Sequence, residues 1–497
     1  LRHILSATLE NIDSTPISVE ASLTKGLPNF SIVGLANSSI LESKDRVKSA
    51  LLTNSFKFPP KKITINLSPS DIKKSGSHFD LAIALLIAID INIDDIFVFG
   101  ELGLDGALKD TNSIFPIVLS LAKNNLLKKV LIPKSSYEKL SKIPNIEIFV
   151  VENLKEAIDF FDNREKYRVK SSKFESNSIE IDSEKYYFED NFELDFADVK
   201  SQKLAKRASL IASSGFHNIL LEGVAGSGKS MIAKRLKYIL PPMSKEEILE
   251  RAKLESLVSI EPDFKANRSF RSPHHSSTRG SIFGGGSKEA KIGEVALANS
   301  GVLFFDELPY FDRAILEALR EPLEDNQVNI SRVNSKVKYE TSFLFIGALN
   351  PCLCGNLYSQ SKECRCSEVD IKRYRKKLSE PLLDRIDVFV KMGDVDFDDS
   401  ESISSKEMFK MVLDAFSMQK SRGQKRLNGK LNESEIKKYC KLDSELESIL
   451  NRAIKSFNLS FRAINKILKV SRTIADLNRE KNIKKTHLLE ALSFRDR

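Results

Sequence analysis

Apolar residues in the first 160 or so positions recur in short blocks of two kinds. Phe30-Ser31-Ile32-Val33 is bounded by Pro28 and Gly34, and Lys62-Ile63-Thr64-Ile65-Asn66-Leu67 alternates with the period of a half-buried strand. Val130-Leu131-Ile132-Pro133 and the run from Ile146 to Val151 predict two more strands, and the apolar run Leu81 to Ile91 predicts a helix. Strands and helices in alternation predict an α/β domain over residues 1–162. Residues 163–194 are rich in Lys, Ser, Glu, Asn and Tyr with little apolar periodicity, which predicts a linker with one strand near Ile179-Glu180-Ile181. A second α/β pattern covers 195–395. Residues 396–497 read as helical, and Ser460 to Asn478 places Ala463, Ile467, Val470, Ile474 and Leu477 on one face. No internal repeat is present.

The second pattern carries its chemistry at strand ends. Ile219-Leu220-Leu221 is a short apolar strand, and Met231 to Leu240 is a helical pattern stopped by Pro241-Pro242. Between them, Gly223-Val224-Ala225-Gly226-Ser227-Gly228-Lys229-Ser230 fits G-x-x-x-x-G-K-[ST]. The glycines let backbone N–H groups cradle phosphates, and a helix N-terminus adds favourable partial charge. Lys229 is placed to reach the β and γ phosphates of ATP, and the Ser230 hydroxyl to hold Mg²⁺. Gly301 to Phe305 reads as a buried parallel strand ending in Asp306 and Glu307. Asp306 would complete the Mg²⁺ shell, and Glu307 would orient and deprotonate the attacking water. Two solvated acids would be the better reading of that segment alone; the phosphate loop upstream reverses the preference. Phe343 to Leu349 ends in Asn350, which either contacts the γ-phosphate or the attacking water, or starts the turn before Pro351.

Composition refines this picture. Hydrophobic residues make up 41% of 497, an ordinary globular share, and there is no Trp. No apolar run is long enough to cross a bilayer, and the N-terminal stretch lacks the succession of a secretory signal, so no membrane partner and a cytoplasmic location are expected. The formal net charge of +9 suits a polyanion such as nucleic acid, although charge alone slightly favours a lysine-rich solvated surface. Four of the five cysteines form Cys352-Leu353-Cys354 and Cys364-Arg365-Cys366. Four thiolates suit a structural tetrahedral Zn²⁺; four reduced cysteines in a loop would be the plainer reading. Val328 to Arg332 and Lys336 to Tyr339 alternate around Val333-Asn334-Ser335, predicting a hairpin. Arg271, His274, His275 and Arg279 precede a glycine run; the adjacent histidines are expected to point apart and to meet phosphate or backbone, not metal. Lys420, Arg422, Lys425, Arg426 and Lys430 read as an outer nucleic-acid patch or a solvated face.

The order of phosphate loop, Asp-Glu strand, polar-tipped strand and helical lid resembles an AAA+ ATPase. More closely, the chain resembles the ComM/YifB family of competence proteins, related to the ATPase subunit of magnesium chelatase. The matching stretches are Asp195-Phe196-Ala197-Asp198-Val199, the phosphate loop, Phe270 to His275, Gly284 to Ser287, Gly301 to Leu308, Asn350 to Gly355 and Pro381 to Asp387. Val224-Ala225 departs from the usual Pro-Pro of the family, at positions that shape the loop and do not touch phosphate through side chains. The resemblance implies an α/β chain with an N-terminal Lon-protease-like domain of ribosomal S5 type (1–162), a linker (163–194), a P-loop AAA+ core (195–395) and a helical lid (396–497). It implies that Arg385 is an arginine finger for a neighbouring subunit's γ-phosphate and that Arg462 is the lid arginine called sensor 2. It also implies a homo-oligomer, a hexamer in the family, with the hairpin at a central pore and Arg332, Lys336 and Lys338 as phosphate contacts.

The implied activity is ATP-driven translocation on single-stranded or branched DNA, with helicase-like branch migration of recombination intermediates as in natural transformation. Lys74-Ser75-Gly76-Ser77-His78 lies where Lon proteases carry K-D-G-P-S, so His78 stands at the nucleophile position and predicts a non-proteolytic domain. Ser75 and Ser77 keep a Lon-like ATP-dependent protease open. A chelatase-type protein-remodelling ATPase and a non-enzymatic nucleotide-gated scaffold also stay open.

Overall fold

A computed structural model describes residues 2–285, 291–331, 336–395 and 402–495. It divides into two compact units, Leu1–Glu175 with Ala252–Phe264, and Ser176–Arg251 with Lys265–Arg497.

The first unit is built on eight strands: β1 (Arg2–Glu10), β2 (Asp13–Thr24), β3 (Asn29–Val33), β4 (Lys62–Ser68), β5 (Asn92–Val98), β6 (Lys129–Pro133), β7 (Glu147–Val151) and β8 (Arg168–Val169). They lie in the order β8-β7-β6-β5-β1-β2-β4-β3. The alternation in β4 sends Ile63, Ile65 and Leu67 into the core, as a period of two requires. Helix α1 (Asp80–Ala88) is buried through Ile87, which is why its sequence shows a continuous apolar run and no stripe. It ends at Ala88, before the expected Ile91, because Ile89 is already extended and β5 begins at Asn92. A second helix, α2 (Ile114–Lys123), also faces the core. Residues 252–264 are held to this unit by the Lys139–Glu261 ion pair (3.0 Å) and by the edge-to-face contact of Phe115 with Phe264. In the expected linker, Arg168–Val169 pairs with β7, and Asn177–Ile181 pairs antiparallel with Glu184–Phe188 in the second unit.

The second unit holds a five-stranded sheet in which every neighbour is parallel. Its strands are β9 (Ile219–Gly223), β10 (Phe270–Arg271), β11 (Val302–Phe305), β12 (Leu344–Leu349) and β13 (Val388–Met392), in the order β10-β11-β12-β9-β13. All residues of β11 and β12 are buried, as expected where helices cover both faces. Helix α3 (Lys203–Gly215) precedes β9, and α4 (Lys229–Leu236) follows the phosphate loop. The C-terminal layer comprises α5 (Ser405–Lys420), α6 (Ser444–Phe457), α7 (Phe461–Leu477) and α8 (Lys485–Ser493). Ser460 caps α7 by accepting from Ala463 N (3.2 Å). The apolar face of α7 is the one expected: Ala463, Ile467, Val470, Ile474 and Leu477 are buried, against α3, α5 and α8. Sheet and helical layer share one core, and together they have the AAA+ layout. Among the described residues, no helix is long and apolar enough to cross a membrane.

Candidate nucleotide site

β9 ends at Gly223 and α4 starts at Lys229, so residues 224–228 form a tight strand-to-helix turn. Gly226 (φ 82°) and Gly228 (φ 91°) are left-handed, a region open to glycine without steric penalty. Lys229 Nζ donates to Gly223 O (2.6 Å), Val224 O (2.9 Å) and Asn350 Oδ1 (3.1 Å). Burial pushes its ammonium below the ordinary lysine range, with Asp306 opposing. Ser230 Oγ donates to Asp306 Oδ2 (2.7 Å), and Asp306 Oδ1 accepts from Glu307 N (3.0 Å). Lys229, Ser230, Asp306 and Asn350 therefore meet at the C-terminal edge of three adjacent strands, β9, β11 and β12, the edge where parallel α/β sheets take ligands.

Glu307 occupies the left-handed region (φ 51°, ψ 43°), which costs a non-glycine residue roughly 1 kcal/mol or more. Its side chain stays 58% exposed, with Oε2 3.9 Å from His275 Nδ1. His274 and His275 do not point apart, contrary to expectation; their rings lie 4.1 Å from one another. The backbone turns here, with Ser277 N donating to His274 O (2.9 Å), so the alternation of an extended chain does not apply.

Cys352, Cys354, Cys364 and Cys366 converge directly after Asn350, with all four sulfurs within 4.8 Å of one another. Cys352 Sγ lies 3.4 Å from Cys354 Sγ and 3.7 Å from Cys364 Sγ. Zn–S bonds of about 2.3 Å in a tetrahedron place sulfurs about 3.8 Å apart, so the donor set and its spacing fit zinc. Backbone N–H groups of Asn356 and Arg365 pull the Cys354 thiol down, while the neighbouring sulfurs push the Cys364 and Cys366 thiols up, as one negative charge shared among crowded sulfurs requires. The same loop leans on the phosphate loop: a side chain on Gly355 would lie 3.6 Å from Ala225 Cβ and 3.9 Å from Asn350 Cγ. Tyr358 donates to Glu222 Oε1 at the end of β9 (3.1 Å).

Arg385 and Arg462 meet in a different cleft. Arg385 Nε is 3.1 Å from Glu324 Oε2, and Arg462 Nε is 3.2 Å from Glu324 Oε1. Among the described residues, none of 223–230, 306 or 307 lines that cleft. The backbone of Arg385 is pinned, its carbonyl accepting from Asn218 Nδ2 (3.0 Å) and Lys466 Nζ (3.1 Å). Asp387 accepts from Asn218 N (2.7 Å) and Lys466 Nζ (2.6 Å). Burial opposes its ionisation, yet Lys466 and His217 hold it at about 2. Asn218 immediately precedes β9, and Lys466 lies one turn beyond Arg462 on α7, so this network joins the Arg385 loop, helix α7 and the strand of the phosphate loop. The sequence pattern marked the arginines and not Glu324, Asn218 or Lys466; the i,i+4 spacing of Arg462 and Lys466 was the one available signal.

The hairpin forms from Gln327–Ser331 and Lys336–Glu340, with Ile330 opposite Val337. Val328, Ile330, Val337 and Tyr339 are buried and Lys338 is exposed. Arg332 lies outside the described residues. Four of the five basic side chains at and after the end of α5 have partners within the unit, and Lys425 is exposed. Arg422 is paired with Asp476 (2.7 Å), Arg426 with Glu435 (3.3 Å), Lys420 donates to Lys425 O (2.9 Å) and Lys430 to Phe343 O (2.7 Å). Partners on other helices and at Phe343, just before β12, were invisible to a local charge count. In the first unit, His78 is fully buried, with Nε2 2.9 Å from Ala7 O and Nδ1 3.1 Å from Ser113 Oγ. Lys74 donates to Pro69 O and Ser77 to Glu101.

Comparison with known proteins gives the family. Models described as magnesium chelatase subunit ChlI match residues 19–136 and 195–400, and one for the ChlI C-terminal region matches 402–495. The chain is 36% identical to competence protein ComM of Haemophilus influenzae over 505 residues, covering 99% of this chain and 97% of that protein. It is also 36% identical to the YifB proteins of Salmonella typhimurium and Escherichia coli, covering 97% of this chain and 95% of each. A magnesium-chelatase 67 kDa subunit of Heliobacterium mobile matches 32% of the chain at 24% identity. The phosphate loop, the Asp-Glu strand and the ChlI-type helical layer thus belong to one continuous likeness, and the chain is a member of the ComM/YifB family of magnesium-chelatase-type AAA+ ATPases.

Proposed function

We propose that the chain hydrolyses ATP within a ring of identical subunits, a hexamer, and uses that energy to move on single-stranded or branched DNA, driving branch migration of recombination intermediates. The observation that carries this reading is the separation of two half-sites on one subunit. Lys229, Ser230, Asp306 and Asn350 meet at one sheet edge, whereas Arg385 and Arg462 meet around Glu324 in a cleft lined by none of them. A site completed by two arginines from elsewhere suits an assembly in which each subunit supplies them to its neighbour.

At the sheet edge, Lys229 and the loop N–H groups would hold the β and γ phosphates, and Ser230 with Asp306 would hold Mg²⁺, which neutralises charge on the phosphates. Glu307 would take the proton of the attacking water, and Asn350, already bonded to Lys229, would position that water or the γ-phosphate. DNA is favoured as the track by the competence protein among the relatives, by the net charge of +9 and by the exposed Lys338 of the hairpin. The four cysteines would hold a structural Zn²⁺.

ATP turnover measured with single-stranded, duplex and four-way-junction DNA tests the reading. Stimulation of several-fold, greatest with branched DNA, is expected; no stimulation and no branch migration with any DNA would overturn it. A chelatase-type remodelling ATPase is the second reading, favoured by the ChlI descriptions of the matching regions, and it requires turnover indifferent to DNA and raised by a protein partner. The buried imidazole of His78 offers no hydroxyl for acyl transfer, which disfavours the protease.

A further inference from the structure

On the reading of Arg385 and Arg462 as contacts to a neighbour's nucleotide, we infer that Glu324 is their resident counter-ion, and that its displacement by a γ-phosphate makes subunit engagement selective for a triphosphate over a diphosphate.

Glu324 lies on the short helix Arg320–Asp325 and gives one carboxylate oxygen to each arginine, 3.1 Å from Arg385 Nε and 3.2 Å from Arg462 Nε. Asp384 adds a weaker negative field at Arg385, and two further acids of the cleft are engaged elsewhere. Glu317 accepts from Arg320 (2.9 Å), and Glu321 accepts from Asn329 Nδ2 (2.7 Å). The Arg385 side chain is only 7% exposed, and its Nε–H is buried without a hydrogen-bond partner, although the Glu324 oxygen is close. The pairing is therefore coulombic and poorly aligned. A buried N–H left in this state costs free energy until an acceptor arrives in line with it.

Arg462 and Arg320 add like charge beside Arg385, so the arginines need an anion at all times. Glu324 supplies a single negative charge in the isolated subunit. A terminal phosphate carries more charge and three acceptor oxygens, enough to satisfy both guanidiniums with better geometry. A diphosphate presents only its β-phosphate, farther from the cleft, and competes with Glu324 too weakly to make the exchange. Glu324 sets the threshold that only the γ-phosphate crosses. Without it, the exposed positive cleft accepts weaker anions, and discrimination falls.

The test uses the full chain and compares wild type with Glu324→Gln, which keeps size and removes charge. Sedimentation velocity reads assembly across titrations of ATPγS and ADP, and thermal melts confirm that the variant is folded. The ratio of ADP to ATPγS midpoints is expected to fall at least about tenfold in Glu324→Gln, equivalent to about 1.4 kcal/mol of lost discrimination, and to be kept in Glu324→Asp. An unchanged ratio in Glu324→Gln overturns the inference. Loss of assembly with both nucleotides also overturns it, since Glu324 would then be a structural contact. Undiminished turnover in Arg385→Ala would instead refute the underlying reading of the arginines, whatever Glu324 does.

Discussion

Glu307 and His78 show how a single side chain is set by its surroundings. Glu307 is the exposed acid beside the Lys229–Ser230–Asp306 cluster, and its removal should leave the phosphate cradle intact. Glu307→Gln is expected to bind ATP as wild type does and to lose about 10²-fold or more of its turnover; equilibrium binding with a fluorescent ATP analogue and a phosphate-release assay separate the two effects. His78 is a buried imidazole that burial pushes from 6.5 to about 4. The unfolded chain binds a proton in that interval and the folded chain does not, so stability is full above pH 6.5 and falls as pH drops toward 4. The loss from His78 alone is about 2 to 3 kcal/mol by pH 4.5. Melting of the wild type and of His78→Gln at pH 7 and 4.5 should show a shallower pH dependence in the variant; equal slopes would contradict the assignment. At this scale the sequence was most legible where chemistry sits in one string, as from Gly223 to Ser230. It was least legible where partners lie far along the chain, as Glu324 does from Arg385 and Arg462.

Among elements, β4 and α7 could be read because their apolar residues keep the period of the backbone they form. β1 could not, because Ser6 and Thr8 are buried beside Ile4 and Ala7 and erase the contrast between faces. The basic span at the end of α5 could be read only as a run of charge, since the acids that pair Arg422 and Arg426 lie on other elements. The cysteine loop was legible as a cluster, but its position against the phosphate loop was not, because only the fold brings Gly355 to Ala225. Through that contact, metal removal should reach the nucleotide. Removing the zinc proposed for the cysteines should loosen the support of Asn350 and of residues 224–226, and weaken nucleotide affinity by about tenfold, comparable to losing an outer-shell partner. Isothermal titration with ATPγS before and after chelation, with metal content measured on the same samples, checks this. Unchanged affinity in verified metal-free protein would disconnect the two sites.

For the whole molecule, the decisive feature is that one subunit carries the phosphate loop and the two arginines in separate clefts. The Asn218–Asp387–Lys466 network ties the arginine cleft to the base of β9. Arg385→Ala is expected to abolish turnover while nucleotide binding stays nearly intact. Lys229→Ala is expected to lose both, yet to keep Arg385 available to another subunit. Mixing the two variants therefore tests the account most directly. Turnover measured across mixing ratios should reappear, peaking at intermediate ratios, because intact phosphate loops on Arg385→Ala subunits meet intact arginines on Lys229→Ala subunits. A mixture as silent as either variant alone, under conditions where the subunits co-assemble, would contradict a site completed between neighbours.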